Sequence, residues 1–467
     1  MTMNAHIVNG ASGMPHALDS ETRGADATPA FRHVRSGGGI EEYRLDANGL
    51  RVLFMEARAA PVALLMLTYG VGSRHEGHGF HGASHMLEHL MFKGSARFNK
   101  QQGTSIFNLL HPVGAQTNAT TWLDRTNYFN LVPVSHLDVA AEIEADRMRN
   151  IRIDPVDLET ERTVVLNEHD QYAGDPLEKL NQAVWRIAFA KHPYGAPVIG
   201  TREDIGAFTR DGLFEHYHRH YWPNNATLTV IGDLGRELTL DIVGRHFGRM
   251  SGFDSLPNAD DEFEPEQRGE RRIVVEQPGQ AGWVMLACKA PNGLSPDTDA
   301  LELLGCILAG GKLSRLYRQL VVGGLATAVW PCMSRLAKPG LFQVQALLGT
   351  DQDHQGVERT IRDAIDTIRI HGVSQDELDR AKGRARGNLL TSRDGPVAVA
   401  MQLNEAIAAG DWMAYPMAIE RLDAVSVTDV QRVARQYLID DALTVGYLVD
   451  PDGKHAASAS SNPASVQ

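Results

Sequence analysis

An α+β chain built of two similar halves is what this sequence predicts, and three features carry that expectation. Strand-like runs alternate with helical periods along most of the 467 residues, so neither an all-helical nor an all-strand architecture fits. The texture breaks at "DSLPNADDEFEPEQRGE", residues 254–270, an acidic, proline-containing stretch too polar to bury itself. Beyond that break the order of elements repeats. "HYWPNNATLTVIGDL" (220–234) is echoed by "QYLIDDALTVGYLVD" (436–450) at an offset of about 216, and "LETERTVV" (158–165) by "DELDRAKG" (376–383) at about 218. The resulting division is a disordered leader at 1–39, a first half at 40–253, an acidic linker at 254–270, a second half at 271–450 and a disordered tail at 451–467.

The leader is rich in Gly, Ala, Ser and Asp and ends in "SGGG"; it has no apolar core of a secretory signal, which makes a cytoplasmic location the default. Order begins with "EEYRLDANGLRVLFMEAR", where Asn48-Gly49 between two alternating runs predicts a β-hairpin. "VALLMLTYGVGS" follows as a second strand region. The tail "DGKHAASASSNPASVQ" is compositionally disordered.

Composition narrows the function classes. Hydrophobic residues at 43% and charged residues at 22% describe an ordinary globular chain. A net charge of -13 argues against nucleic acid as the main partner, because such binding needs clustered cations to displace phosphate counterions. No window approaches the roughly 18 apolar residues of a membrane-spanning helix. Cys288, Cys306 and Cys332 are widely spaced and lack the paired pattern of a thiolate metal site, so they read as buried thiols in a reducing compartment.

The chemistry concentrates in "HGASHMLEHLMFKGS", residues 81–95. At about 100° per residue, with His85 at the origin, Glu88 falls near 300° and His89 near 40°, so the three share one wedge of a helix. Met86, Leu87, Leu90 and Met91 occupy the opposite side and supply a face to bury. Histidines at i and i+4 can direct two ring nitrogens at one ion, leaving Glu88 beside it as a general base. The H-x-x-E-H order occurs among zinc-protease motifs, yet five residues also fit a hydrogen-bonded polar cluster.

A third ligand has to come from elsewhere, and "LETERTVVLNEHDQY" offers one. On a helix Glu161, Val164, Val165, Glu168 and Tyr172 fall on one stripe, apolar but for two glutamates. A carboxylate on a core-facing stripe calls for a proton, a cation or a metal. Glu168 at the middle of the stripe is the expected third ligand; Glu161, two turns earlier, fits either a residue that holds a ligand in place or an ion pair with a nearby arginine. The other histidines read more plainly. His216 and His220 suit an amphipathic helix end, His75, His78 and His81 a solvated loop, and His169 an exposed position.

With these residues in view, the sequence resembles the inverted-zincin peptidases of the pitrilysin, insulin-degrading-enzyme and mitochondrial-processing-peptidase type, in particular their short members. The stretches that carry the resemblance are "GASHMLEHLMFKGS", "GAQTNATTWLDRTNYF", "EIEADRMRN", "ETERTVVLNEHDQY", "NNATLTVIGDL" and "LSRLYRQL", spanning about residues 42–450. The resemblance implies one Zn2+ per chain on His85, His89 and Glu168, with Glu88 activating the zinc-bound water and Glu161 supporting the ligands. It implies two homologous halves, each a mostly antiparallel sheet with helices on one face, closing like a clamp around a chamber. The function implied is a zinc-dependent metalloendopeptidase acting on extended or unfolded peptides, which add as a strand along "GAQTNAT", with Asn118 and Ala119 as contacts. Arg315 is the expected second-half substrate contact, but Thr327 stands where the family pattern has a tyrosine, and "NKQQGTS" adds a few residues before the substrate strand. That departure points to a homodimer or a heterodimer in which a related chain supplies the missing contacts. Two other functions remain: a non-catalytic assembly subunit of the same fold, and a metal-binding module without hydrolysis.

Overall fold

The computed structural model describes residues 30–256 and 264–453. The first half forms a seven-stranded sheet from β1 (Phe31–Gly37), β2 (Ile40–Leu45), β3 (Arg51–Glu56), β4 (Val62–Tyr69), β5 (Gln116–Thr121), β6 (Thr126–Pro133) and β7 (Ala226–Gly232). Their order across the sheet is β1-β2-β3-β7-β4-β6-β5, antiparallel except for the β3–β7 pair. The second half forms a five-stranded sheet from β8 (Arg271–Glu276), β9 (Trp283–Ala290), β10 (Ala326–Met333), β11 (Gly340–Leu348) and β12 (Leu443–Val449). Its order is β10-β11-β9-β12-β8, antiparallel except for β8–β12. The two orders match from β5 to β3 and from β10 to β8, so among the described residues the second sheet has no counterpart of the β1–β2 edge.

The β2–β3 hairpin closes at Asn48-Gly49. Gly49 sits at φ 76, in the left-handed region that glycine enters without strain. The buried Asn48 amide donates to the Phe247 carbonyl at 2.8 Å and so ties the turn to the end of the helix Arg236–Phe247. β7 and β12 are buried along their whole length, which explains why their sequences run apolar without alternation.

Each sheet is covered on both faces, and the two halves exchange the cover. One face of the first sheet packs on its own helices through Leu65, Leu67, Met86, Leu90 and Leu228. The other face receives the helix Gly395–Ala409 of the second half: Leu64, Met66 and Ile231 meet Val399 and Ala400, and Ile40 and Leu53 meet Leu403 and Trp412. In return the helix Pro176–Ala188 of the first half lies on the second sheet, where Leu180, Val184 and Ala188 pack on Met285, Ala287 and Leu448. The approach is close enough that a Cβ at Gly446 would stand 2.4 Å from Val184 Cγ2.

Several sequence expectations change. The leader ends earlier than residue 39, because β1 pairs with β2 through Gly38 and Gly39, both at positive φ; the remainder of the expected leader, 1–29, lies outside the described residues. The acidic linker is anchored at its far end. The Glu264 carboxylate accepts three successive backbone N–H groups, from Ala190, Lys191 and His192, and pairs with Lys289 at 2.7 Å. Despite the cost of burial, these donors hold Glu264 down at about 2. Most of the expected tail, 454–467, lies outside the described residues. Of the cysteines only Cys288 is buried; Cys306 is half-buried and Cys332 is exposed on β10, an edge strand with a sheet neighbour on one side. Among the described residues no helix is long and apolar enough to cross a membrane.

Candidate metal and catalytic site

The helix Ala83–Leu90 carries the motif and is held at its N-terminus by two local features. Gly82 takes φ 92, and its backbone passes so near Ile199 that a Cβ would lie 2.3 Å from the Ile199 carbonyl oxygen. The Glu76 carboxylate, buried below the first turn, accepts the N–H groups of Gly82 at 2.6 Å and Ser84 at 2.7 Å. An acid at the positive end of a helix is favourable, while burial pushes this one up to about 7. Met86, Leu87, Leu90 and Met91 are buried, which turns His85, Glu88 and His89 toward the neighbouring helix Pro155–Gly174.

That helix starts at Asp154, which caps it by accepting the Val156 N–H, and it buries Leu158, Glu161 and Val165. The stripe is narrower than the sequence suggests, since Val164 is 42% and Tyr172 44% exposed. Val164 lies to one side of the buried line, and Tyr172 lies on it but beyond the buried turns, toward the end of the helix.

One ring nitrogen of His85, one of His89 and one carboxylate oxygen of Glu168 lie within 4.8 Å of one another, the one such group of three or more among the described residues. The Nε2 atoms face Glu168 Oε2 at 3.8 Å from His85 and 3.5 Å from His89. His89 Nδ1 meets Glu161 Oε2 at 3.0 Å, and the other oxygen of Glu161 pairs with Lys93. Glu161 thus bridges the His89 ring and the Lys93 ammonium, where the sequence left open a contact to a ligand or an ion pair with an arginine. Glu88 stands alongside, and its Oε2 accepts the Thr121 hydroxyl at 2.6 Å.

The electrostatics follow from crowding. Burial and the neighbouring His89 push His85 well below the usual imidazole range. Burial acts in the same sense on His89, but the carboxylates of Glu161 and Glu168 outweigh it and raise that ring. The hydrogen bond from His89 lowers Glu168, whereas burial raises Glu88 against the pull of Thr121. His85 Nδ1 is buried without a hydrogen-bond partner. Two imidazoles and one carboxylate, pointed at a common centre with a second carboxylate beside them, suit zinc, and a cation at that centre would relieve the charge conflict.

The other candidates are spread differently. Asn118 and Ala119 lie on β5, the outer strand of its sheet; Asn118 is exposed, Ala119 buried, and the Asn118 amide oxygen accepts the Ala119 N–H. Arg315 stays within the second half. Its guanidinium pairs with Glu377 at 2.8 Å and donates to the Gly372 carbonyl, and none of its bonds reaches the three ligand candidates. It follows that Arg315 is committed to the cap of the helix Gln375–Thr391, a role that spacing alone does not reveal. Thr327 is exposed on β10 and donates to the Leu347 carbonyl. His216 and His220 lie on the buried face of the helix Arg210–His220, at its end, as an amphipathic helix end implies; His216 Nε2 bonds the Ser84 hydroxyl behind the motif helix, and His75 packs edge-on to His220. A cavity of about 210 Å³ opens beside His85, walled by Thr121, Trp122, Tyr172, Glu178 and Trp185. The sequence reading missed Glu76 and Thr121. Glu76 lies six residues before the N-cap Gly82, outside any capping pattern, and nothing in local pattern links Thr121 to Glu88.

Two family models match this chain. Residues 51–202 match the family model described as insulinase, peptidase family M16, and residues 207–384 match the peptidase M16 inactive domain. A protein of Mycobacterium leprae named as an uncharacterized zinc protease is 30% identical over 84% of this chain and 87% of its own length. The chain belongs to peptidase family M16. The beta subunit of the mitochondrial-processing peptidase of Lentinula edodes is 25% identical across 93% of this M16 chain and 96% of that protein. The crystal structure of a protease from Helicobacter pylori superposes with a TM-score of 0.82 at 26% identity, covering 90% of this chain and all of that one. Within the M16 frame, the model named for an inactive domain falls mainly on the half that lacks the three ligand candidates.

Proposed function

We propose that this chain is a zinc-dependent metalloendopeptidase that cleaves extended or unfolded peptides. The observation that carries the reading is the convergence of donor atoms from His85, His89 and Glu168 with the Glu88 carboxylate at their side. One zinc ion per chain would be held by those three residues. When bound, zinc supplies a Lewis acid that polarises a peptide carbonyl and lowers the pKa of water toward about 7. Glu161 keeps the His89 ring turned with Nε2 toward the centre. Glu88 takes the proton of the attacking water and passes it to the departing amine, and its burial suits a carboxylate that must be protonated part-way through the cycle.

An extended substrate would add along the outer edge of β5, near Asn118 and Ala119 and beside Glu88, displacing the local bond from the Ala119 N–H to the Asn118 amide oxygen. Because Arg315 is tied to Glu377 and Thr327 replaces the expected tyrosine, we assign completion of the substrate-holding side to a related second chain, a copy of this one or a homologue.

Zinc analysis together with a quenched-peptide assay on wild type and Glu88→Gln tests the reading. Retained zinc with turnover reduced on the order of 10²- to 10⁴-fold is expected. Unchanged turnover in Glu88→Gln would overturn the mechanism. Zinc without turnover in either protein, persisting after a related chain is added, would favour the non-catalytic reading. Full activity of a strict monomer would remove the partner.

A further inference from the structure

The Glu88 carboxylate is gripped from outside its own helix. Thr121, the last residue of β5, donates its hydroxyl to Glu88 Oε2 at 2.6 Å, which leaves the other carboxylate oxygen as the free acceptor. β5 is an edge strand, paired only to β6, and such strands are held loosely unless something fixes them.

Here the anchor comes from the second half. Arg125, buried in the turn after β5, donates through Nη1 to the Thr120 carbonyl at 3.1 Å, the Thr120 hydroxyl at 2.6 Å and Asn127 Oδ1 at 3.0 Å. Through Nε and Nη2 it donates to Glu405 Oε1, at 3.1 and 2.5 Å, and Glu405 lies on the exchanged helix Gly395–Ala409. The same turn is bolted a second time. Asp124 accepts Arg74 Nε at 2.7 Å, the Tyr194 hydroxyl at 2.8 Å and, from the second half, the Ala337 N–H at 3.0 Å. The turn also leaves no slack against Gly72, where a Cβ would meet the Trp122 carbonyl oxygen at 2.1 Å.

We infer that Thr121 is a positioning residue for Glu88, and that the Arg125–Glu405 pair sets its place, so the half without ligands helps aim the general base. The inference rests on the reading of Glu88 as that base. A hydroxyl that donates to one oxygen fixes the rotation of the carboxylate and presents the other oxygen to the water. Without it the group turns freely in its site, and misplacement of a reacting group by about 1 Å costs on the order of a hundredfold in rate.

The test uses the full-length, zinc-loaded protein with whatever partner its activity requires. Thr121→Val keeps the branched shape and removes the hydroxyl; Thr121→Ser keeps the hydroxyl. In Thr121→Val, kcat falls roughly tenfold to a hundredfold while KM and zinc content stay put, and Thr121→Ser recovers most of the loss. Glu405→Gln shows the same split, with a smaller fall in kcat. A crystal structure of zinc-loaded Thr121→Val reads the carboxylate without any turnover and shows Glu88 rotated away from position 121. Wild-type kcat in Thr121→Val, with Glu88→Gln inactive, overturns the positioning role and leaves the peptidase reading intact. So does an unmoved Glu88 carboxylate in the variant structure. If Glu88→Gln keeps full turnover, the peptidase reading itself fails.

Discussion

The motif helix Ala83–Leu90 and the helix Pro296–Ala309 follow equivalent strands, β4 and β9, in the two halves, yet they treat acids in opposite ways. In the second half Asp299 is paired with Arg335 and Arg421, and Glu302 with Arg335. In the first half Glu168 meets only the rings of His85 and His89 among the described ion pairs. The covering helices differ in the same sense: Pro155–Gly174 buries Leu158, Glu161 and Val165, and Gln375–Thr391 buries Leu378, Ala381 and Ala385 at the same spacing, with alanine in place of the glutamate. A carboxylate already matched to a guanidinium has its charge compensated and binds a metal less readily than one faced by imidazoles. The two halves thus differ in whether the acid at the centre of the cluster, Glu168 in the first half and Asp299 in the second, is met by imidazoles or by guanidinium groups.

The comparison breaks most directly at the ligands. Glu168→Ala removes one of three donors and is expected to abolish zinc retention and turnover, while Asn388→Ala, at the corresponding place on Gln375–Thr391, leaves both at wild-type levels; metal analysis and the peptide assay read the contrast. A large stability effect comes next. Leu403→Ala empties the exchanged contact on the first sheet and should cost about 2–5 kcal/mol in denaturant unfolding, and a loss under 1 kcal/mol would mean that the exchange carries little. Glu161→Gln leaves the three donors but weakens the hold on His89 Nδ1, so zinc affinity by chelator competition should fall about 10- to 100-fold.

The smallest effect separates the linker from the site. Glu264→Gln loses charge-assisted bonds to the Ala190–His192 backbone and to Lys289, costing about 1–2 kcal/mol with zinc affinity unchanged. The sign with pH follows from a carboxylate held at about 2 when folded and near about 4.3 when unfolded. Its contribution is complete above the unfolded value and is lost as pH falls toward 2. Acid titration of stability should therefore be shallower in Glu264→Gln, and parallel curves would assign the acid sensitivity elsewhere.

What the sequence disclosed depended on whether the physics was local. His85, Glu88 and His89 share a helix wedge, and Glu168 stood out because a carboxylate near a buried stripe calls for a partner. The β2–β3 turn was legible from two residues. Thr121 was not, since its partner lies 33 positions away and a threonine on an edge strand is unremarked. The partner of Arg315 was hidden for the mirrored reason: a motif match says nothing of Glu377, which pairs with its guanidinium. The helix exchange was hidden as well. An apolar stripe on Pro176–Ala188 says that the helix is covered, without saying by which sheet.

That exchange has a bearing on how the chain is made. The strands of the first sheet are complete once β7 ends at Gly232, but the helix that covers its second face ends at Ala409. At about 5–20 residues per second, roughly ten to thirty-five seconds of synthesis separate the two. Throughout that interval Leu53, Leu64, Met66 and Ile231 present an apolar plane to the surroundings. The first sheet can therefore bury its second face only after the later sequence has been made, so the two halves reach their final packing together.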